Sequence, residues 1–298
     1  MFVGVDIGGT NIRLAVFDES FATVVSVRRN VRDVTAPQDL ADRLVEMLAD
    51  TGVPPGSVRS IGLGLAGQMS RDGKIIYNSP NLGWRDVRFA EVLGDALEGV
   101  TSAPIAVAND LNALLWGEYQ AGAARGVANC MAMFVGTGVG GAMICDGELV
   151  NGAGGKAGEL GHVKVARDGR LCGCGEFGCL EAYAGGIHLE RQVAEILGGG
   201  KDLAEVDASV YETPAIRELW ETVTGHLSLA MANAVTLLNP EVVVLGGGIF
   251  ENLPNFRDMT LRKTTPLILS ACRDDVRFEM ARLGDQAGML GAALLATR

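Results

Sequence analysis

FVGVDIGGTNIRLAVF, residues 2–17, is the stretch that decides the fold. Val3 to Asp6 is a short apolar run that meets a Gly-Gly-Thr turn, and Ile12 to Phe17 alternates as the returning strand of a hairpin. The same pattern restarts near the middle of the chain: a strand over Met131 to Val135, the turn GTGVGG at 136–141, and a strand over Ala142 to Cys145. Between the two, the pattern predicts a third strand at Val24 to Val31, a helix at Pro37 to Leu48 with Thr35 before it as cap, and a buried strand at Ile61 to Leu65. A helix over Trp84 to Leu97, a strand at Ile105 to Ala108 and a helix near Leu111 to Tyr119 come next. This is a mixed α/β layer that occurs twice, and two α/β halves with a cleft between them fit it best.

Downstream, residues 151–186 are rich in Gly and Cys with little periodicity, which predicts an ordered loop held by something other than a core. Pro214 to Leu238 carries Ile216, Leu219, Val223, Leu227, Ala230, Ala234 and Leu238 on one helical stripe and stops at Asn239-Pro240. A strand at Glu241 to Leu245 feeds three glycines, residues 251–270 read as mostly helical, Val276 to Leu283 as a strand, and Gln286 to Thr297 as a terminal helix.

Composition bounds the function. The 298 residues carry 25 Lys and Arg against 36 Asp and Glu, a formal charge of −11, which argues against a nucleic-acid backbone or an anionic membrane as principal partner. Hydrophobic residues at 48% supply a core, so disorder is excluded as the main state. No run of 18 apolar residues occurs and the start lacks a secretory signal, so a soluble cytoplasmic protein is expected. Glycine, 41 residues, clusters where turns or backbone approach to a ligand are expected.

Four groups of residues carry chemistry. The glycines of Asp6-Ile-Gly-Gly-Thr10 free backbone N–H groups to approach an anion, Thr10 adds a hydroxyl, and Asp6 can hold a hydrated Mg²⁺. With Gly136-Thr137-Gly138 and the strand-to-glycine turn at 245–248, such turns can wrap one nucleotide; no Walker loop is present. Asn109-Asp110 lies at the carboxyl end of a short strand, where a carboxylate can take a hydroxyl proton or cap the next helix. His162, Cys172, Cys174 and Cys179 make up a tetrahedral Zn²⁺ shell, with disulfide pairing the rival. Zinc would fix the histidine tautomer and aim its other nitrogen, with Glu159 and Glu181, at a polyol. Cys130, Cys145 and Cys272 read as buried core, His188 and His226 as bland, and Asn81 and Trp84 as a turn with a core Trp.

DIGGTN at 6–11, PNLGW at 80–84, NDLNA at 109–113, GTGVGG at 136–141, GELGH at 158–162, CGCGEFGCLEAYAG at 172–185 and LGGGI at 245–249 occur in this order, and with them the chain closely resembles the ROK family of bacterial sugar kinases and regulators, glucokinases in particular. The resemblance implies a two-domain actin-like ATPase (ribonuclease H-like) fold, divided as 1–109 plus 286–298 and 110–285 with the zinc loop. It also implies ATP- and Mg²⁺-dependent phosphorylation of a hexose, glucose at O6, by a homodimer carrying structural zinc. Carried over by position, Asp110 resembles the general base; Asn81, Asn109, Glu159, His162 and Glu181 resemble sugar ligands; Gly8, Gly9, Thr10, Thr137 and Gly138 match phosphate turns, and Gly246 and Gly247 the adenosine turn. Ala66-Gly67-Gln68 departs from the Pro-Gly-Pro turn of many relatives. The closer alternative is an N-acetylhexosamine kinase. The alternative of another class is a non-catalytic sugar sensor, disfavoured because the phosphate hairpin begins too early for a DNA-binding helix-turn-helix.

Overall fold

The structure, a computed structural model, describes residues 1–31 and 34–298. The opening hairpin is present: β1 (Phe2–Ile7) and β2 (Asn11–Phe17) pair antiparallel with Asp6 opposite Arg13, and β3 (Thr23–Asn30) continues the meander. After α1 (Pro37–Asp50) come β4 (Ser60–Leu65), β5 (Gln68–Met69), β6 (Ile76–Ser79), β7 (Trp84–Val87), α2 (Phe89–Ala96), β8 (Ile105–Asn109) and α3 (Asp110–Ala121). The first sheet runs β3-β2-β1-β4-β8, with β1, β4 and β8 parallel. The second half repeats this scheme. An antiparallel hairpin, β9 (Cys130–Val135) and β10 (Val139–Cys145), is followed, after a short strand β11 (Glu148–Leu149), by β12 (Val242–Gly246) and β13 (Arg277–Met280), which lie parallel to β9 in the order β10-β9-β12-β13.

The remaining helices are α4 (Glu181–Ala184), α5 (Gly186–Leu197), α6 (Leu203–Ala208), α7 (Pro214–Leu238), α8 (Gly248–Asn252), α9 (Pro254–Leu267), α10 (Ser270–Arg273) and α11 (Gln286–Leu295). Two large cores form among the described residues, with smaller clusters such as that of Phe17, Met289 and Ala293 beside them. Val5, Leu14, Leu40, Leu63 and Phe89 fill one; Met133, Leu189, Trp220, Leu227, Leu245 and Phe256 fill the other. The α7 stripe is buried as its spacing predicts, except that Leu219 and Leu238 at its margins are only partly covered. Among the described residues no helix is long and apolar enough to cross a membrane.

Three sequence expectations need correction. Trp84 to Leu97 is not one helix: Trp84–Val87 is the edge of a small sheet ordered β5-β6-β7, and the helix begins at Phe89. Trp84 packs on Phe89 with ring centroids 5.0 Å apart, so one apolar cluster carries both elements and blurs the period. The cap before α1 is Ala36 rather than Thr35; the Asp39 carboxylate accepts from the Ala36 N–H at 2.8 Å and the Thr35 hydroxyl at 2.8 Å. The division of the chain also differs. Unit 1 comprises Met1–Gly126, Glu148–Ala157 and Arg282–Arg298, and unit 2 comprises Val127–Gly147 and Gly158–Ala281, so α3 lies with the first sheet instead of beginning the second half.

Glycine explains why α3 belongs there. A Cβ at Gly117 would collide with the Ala287 carbonyl, one at Gly291 with the Ala113 carbonyl, and ones at Gly4 and Gly62 with carbonyls of Met289 and Ala292. The backbone of α11 therefore lies directly on α3, β1 and β4, at a separation that no side chain permits. Gly291→Ala is expected to destabilise the fold by about 1–3 kcal/mol through overpacking. Gly225→Ala, in open space on α7, is expected to stabilise it by about 0.5–1 kcal/mol. Urea denaturation reads both, and equal effects would contradict this packing.

Candidate active site

In unit 1 the first turn closes with the Gly8 N–H donating to the Asn11 carbonyl at 3.0 Å, which leaves Gly9 and Thr10 exposed at the tip. Asn81, in the turn after β6, lies against Gly9: a Cβ there would be 3.4 Å from its Nδ2. Asp6, one strand position inside, is engaged by Arg13, whose Nη1 stands 3.0 Å from Asp6 Oδ2 and whose Nη2 stands 3.0 Å from Asp285. Burial raises the Asp6 carboxyl above its ordinary range, and Arg13 pulls against it. Sequence reasoning missed Arg13. Its signal was the cross-strand register, since an arginine directly opposite an aspartate on a hairpin is a predictable pair.

Of the two neighbours Asn109 and Asp110, the capping role falls to Asn109. Asn109 is the cap of α3: its Oδ1 accepts from the Leu111 and Asn112 N–H groups at 2.9 and 3.2 Å. Its Nδ2 donates to the Gly67 carbonyl at 3.2 Å, so the Asn109 carboxamide is committed to holding backbone. Asp110 is the first residue of the helix. The departure at 66–68 is built tightly, because Ser79 Oγ donates to the Ala66 carbonyl at 2.7 Å and a Cβ at Gly67 would come within 2.6 Å of the Asn78 carbonyl.

In unit 2 the second turn closes with the Gly136 N–H donating to the Gly138 carbonyl at 2.9 Å, leaving Thr137 exposed. Glu181 lies beneath this turn. Its Oε2 accepts from the Val139 N–H at 2.9 Å and fills the space where a Cβ of Gly138 would be. Its Oε1 lies 3.8 Å from Cys172 Sγ. The carboxylate thus joins the second turn to the cysteine cluster.

His162, Cys172, Cys174 and Cys179 converge as the sequence predicts, with ligand atoms all within 4.8 Å of one another. Two sulfurs on one Zn²⁺ at about 2.3 Å stand roughly 3.8 Å apart in a tetrahedron. Cys174 and Cys179 Sγ are 3.7 Å apart, and Cys172 Sγ is 3.8 Å from His162 Nδ1, so the donor set fits that ion. Lys164 Nζ donates to Cys179 Sγ at 3.0 Å. With Nδ1 facing the sulfurs, His162 Nε2 faces Glu159 at 3.8 Å. Burial raises the Glu159 carboxyl against the pull of His162, and the charge of Glu181 raises it further. Of the other cysteines only Cys130 is buried, its thiol pushed up to about 12 by burial; Cys145 and Cys272 are partly exposed, which corrects their reading as core. They lie at strand and helix ends, where a short apolar context does not guarantee burial.

A cavity of about 720 Å³ opens beside the second turn, lined by Thr137, Ile187, Glu190, Leu203, Asn252 and Leu253 among others. Gly247, the expected adenosine turn, takes φ +89° and packs on the Val135 backbone, so only glycine fits. Gly246 packs against the Phe134 ring. The Gly186 N–H donates to the Gly136 carbonyl at 2.7 Å, which joins the start of α5 to the turn. The cavity walls from α5 and α6 were not foreseen, although Asp202 before Glu205 was a legible helix start, with Asp202 Oδ1 accepting from the Ala204 N–H at 2.8 Å.

The ROK family model matches residues 2–298. A glucokinase of Halalkalibacterium halodurans is 33% identical over 99% of this chain and 94% of its own, and an N-acetylgalactosamine kinase of a Shewanella species is 32% identical over 99% and 96%. Among solved structures, a ROK family glucokinase from Streptomyces griseus, in complex with glucose and AMPPNP, superposes with a TM-score of 0.80 at 29% identity, covering 99% of each chain. The duplicated actin-like sheets, the Cys₃His cluster and the match over nearly every residue place the chain in the ROK family.

Proposed function

We propose that the chain is an ATP-dependent hexose kinase that phosphorylates glucose at O6. The observation that carries this reading is the duplication: Gly8-Gly9-Thr10 and Gly136-Thr137-Gly138 close equivalent hairpins in two sheets of the same topology, each presenting an exposed threonine. Paired turns of this kind suit the phosphates of a nucleotide. The glycine turn at 246–248 beside the 720 Å³ cavity suits its nucleoside. Mg²⁺ arrives with ATP; Asp6 has one oxygen committed to Arg13 and offers the other to that ion's waters.

Asp110 is the general base. The sugar hydroxyl oxygen bonds to the γ-phosphorus, the bond from phosphorus to the β,γ-bridging oxygen breaks, ADP leaves, and the hydroxyl proton passes to Asp110. Asn109 acts by fixing the first turn of α3, and with it the Asp110 backbone. Glu159, His162 Nε2 and Glu181 bind sugar hydroxyls, and Asn81 assists beside Gly9. Zinc, when bound, supplies a rigid +2 centre that holds the thiolates and the histidine tautomer.

Three outcomes test this reading. Asp110→Asn keeps size but cannot take the proton, so kcat is expected to fall about 10²-fold or more with little change in sugar affinity; normal turnover would remove the assignment. Elemental analysis is expected to find one zinc per chain, lost in Cys174→Ser together with sugar binding and kept in Cys272→Ser. Protein free of zinc as purified without chelator would contradict the site. In a panel of glucose, mannose, N-acetylglucosamine and N-acetylgalactosamine, glucose is expected to give the highest kcat/KM. The kinship with an N-acetylgalactosamine kinase makes an acetylated sugar the competing result, and a lead of about tenfold for one, about 1.4 kcal/mol, would reassign the substrate.

A further inference from the structure

Asp207 is a carboxylate that the proposed chemistry does not use, yet it is 1% exposed. Burying such a group is costly unless each lone pair is occupied. Here they are occupied from two directions. Oδ1 accepts from Trp220 Nε1 at 2.7 Å and from the Phe256 N–H at 2.9 Å, and Oδ2 accepts from the Asn255 N–H at 2.9 Å. The Asp207 carbonyl accepts in turn from Asn255 Nδ2 at 2.9 Å. Asn255 and Phe256 are the second and third residues of α9, which has no side-chain cap of its own at Leu253. Asp207 therefore caps α9 from another helix, at the end where a negative charge is most favourable.

This cap ties together two walls of the cavity. Asp207 lies one turn beyond Leu203 and Ala204 on α6, which form one wall of the 720 Å³ space. The start of α9 directly succeeds Asn252 and Leu253, which form another. The six-residue helix α6 follows a run of three glycines, Gly198 to Gly200, and is capped by Asp202. Val206 and Val210 give it apolar grip, but directional bonds to α9 come through Asp207 and Asn255.

The geometry points to Asp207 as a positioning residue for the nucleotide: by locking α6 to the start of α9 it sets the width of the cavity in unit 2 and thereby the affinity for ATP. This rests on the reading of that cavity as the nucleoside site. In Asp207→Asn the new NH₂ group faces the Asn255 N–H, donor against donor, while the bonds at the other oxygen survive. KM for ATP is expected to rise roughly tenfold, with kcat at saturating ATP and KM for the sugar within about twofold of wild type. Asn255→Ala, which removes only the bond to the Asp207 carbonyl, is expected to raise KM for ATP about threefold on the same pattern, and decides the matter alone if Asp207→Asn does not fold. Calorimetry with AMPPNP should show the same losses in affinity. Folded variants with wild-type ATP constants, or with ATP and sugar constants shifted together, would overturn the positioning role. Failure of wild type to bind AMPPNP at all would instead overturn the donor assignment.

Discussion

Within unit 2 the site depends on one carboxylate that serves two structures. Glu181 accepts the Val139 N–H beneath the turn at 136–138 and meets Cys172 with its other oxygen. The turn can take its shape only because Gly138 has no side chain where the carboxylate lies. The cluster of His162 and three cysteines is therefore tied to the geometry of a turn that contains none of them. In physical terms, the free energy of the proposed metal binding would be spent on the order of the loop 158–186.

In unit 1 the constraint is of another kind. There the constraint is contact between backbones: α11 lies on α3 and on the centre of the first sheet at glycines in every layer. That contact fixes α3, the Asn109 cap fixes its first turn, and Asp110 is carried with it. Direct packing of helix on helix and on sheet leaves little room for adjustment, which suits the base role proposed for Asp110.

Much of this was legible in the residues. The hairpin at 2–17 and its recurrence at 131–145 gave the duplicated sheets, because alternation interrupted by Gly-Thr has few other solutions. The metal cluster was legible because chemistry limits which residues can complete a tetrahedral shell. The features that stayed hidden depended on partners distant in sequence. Asn109 and Asp110 are equivalent as caps by residue type, and only the bonds of Asn109 to Leu111, Asn112 and Gly67 separate them. The chain division was misplaced because α3 reads as continuous with the strand at Met131 to Val135, whereas its packing partner lies near the end of the chain, at Ala287 and Gly291. Asp207, with donors at 220, 255 and 256, carries no local pattern at all.

The central claim is that phosphate leaves ATP for a sugar oxygen and not for water. Phosphorus NMR of wild-type protein with ATP, Mg²⁺ and glucose tests it directly. The account predicts ADP and a sugar phosphate ester growing together in equal amounts, with no free phosphate. Inorganic phosphate appearing with ADP, or ATP left intact in the presence of each hexose tried, would contradict it.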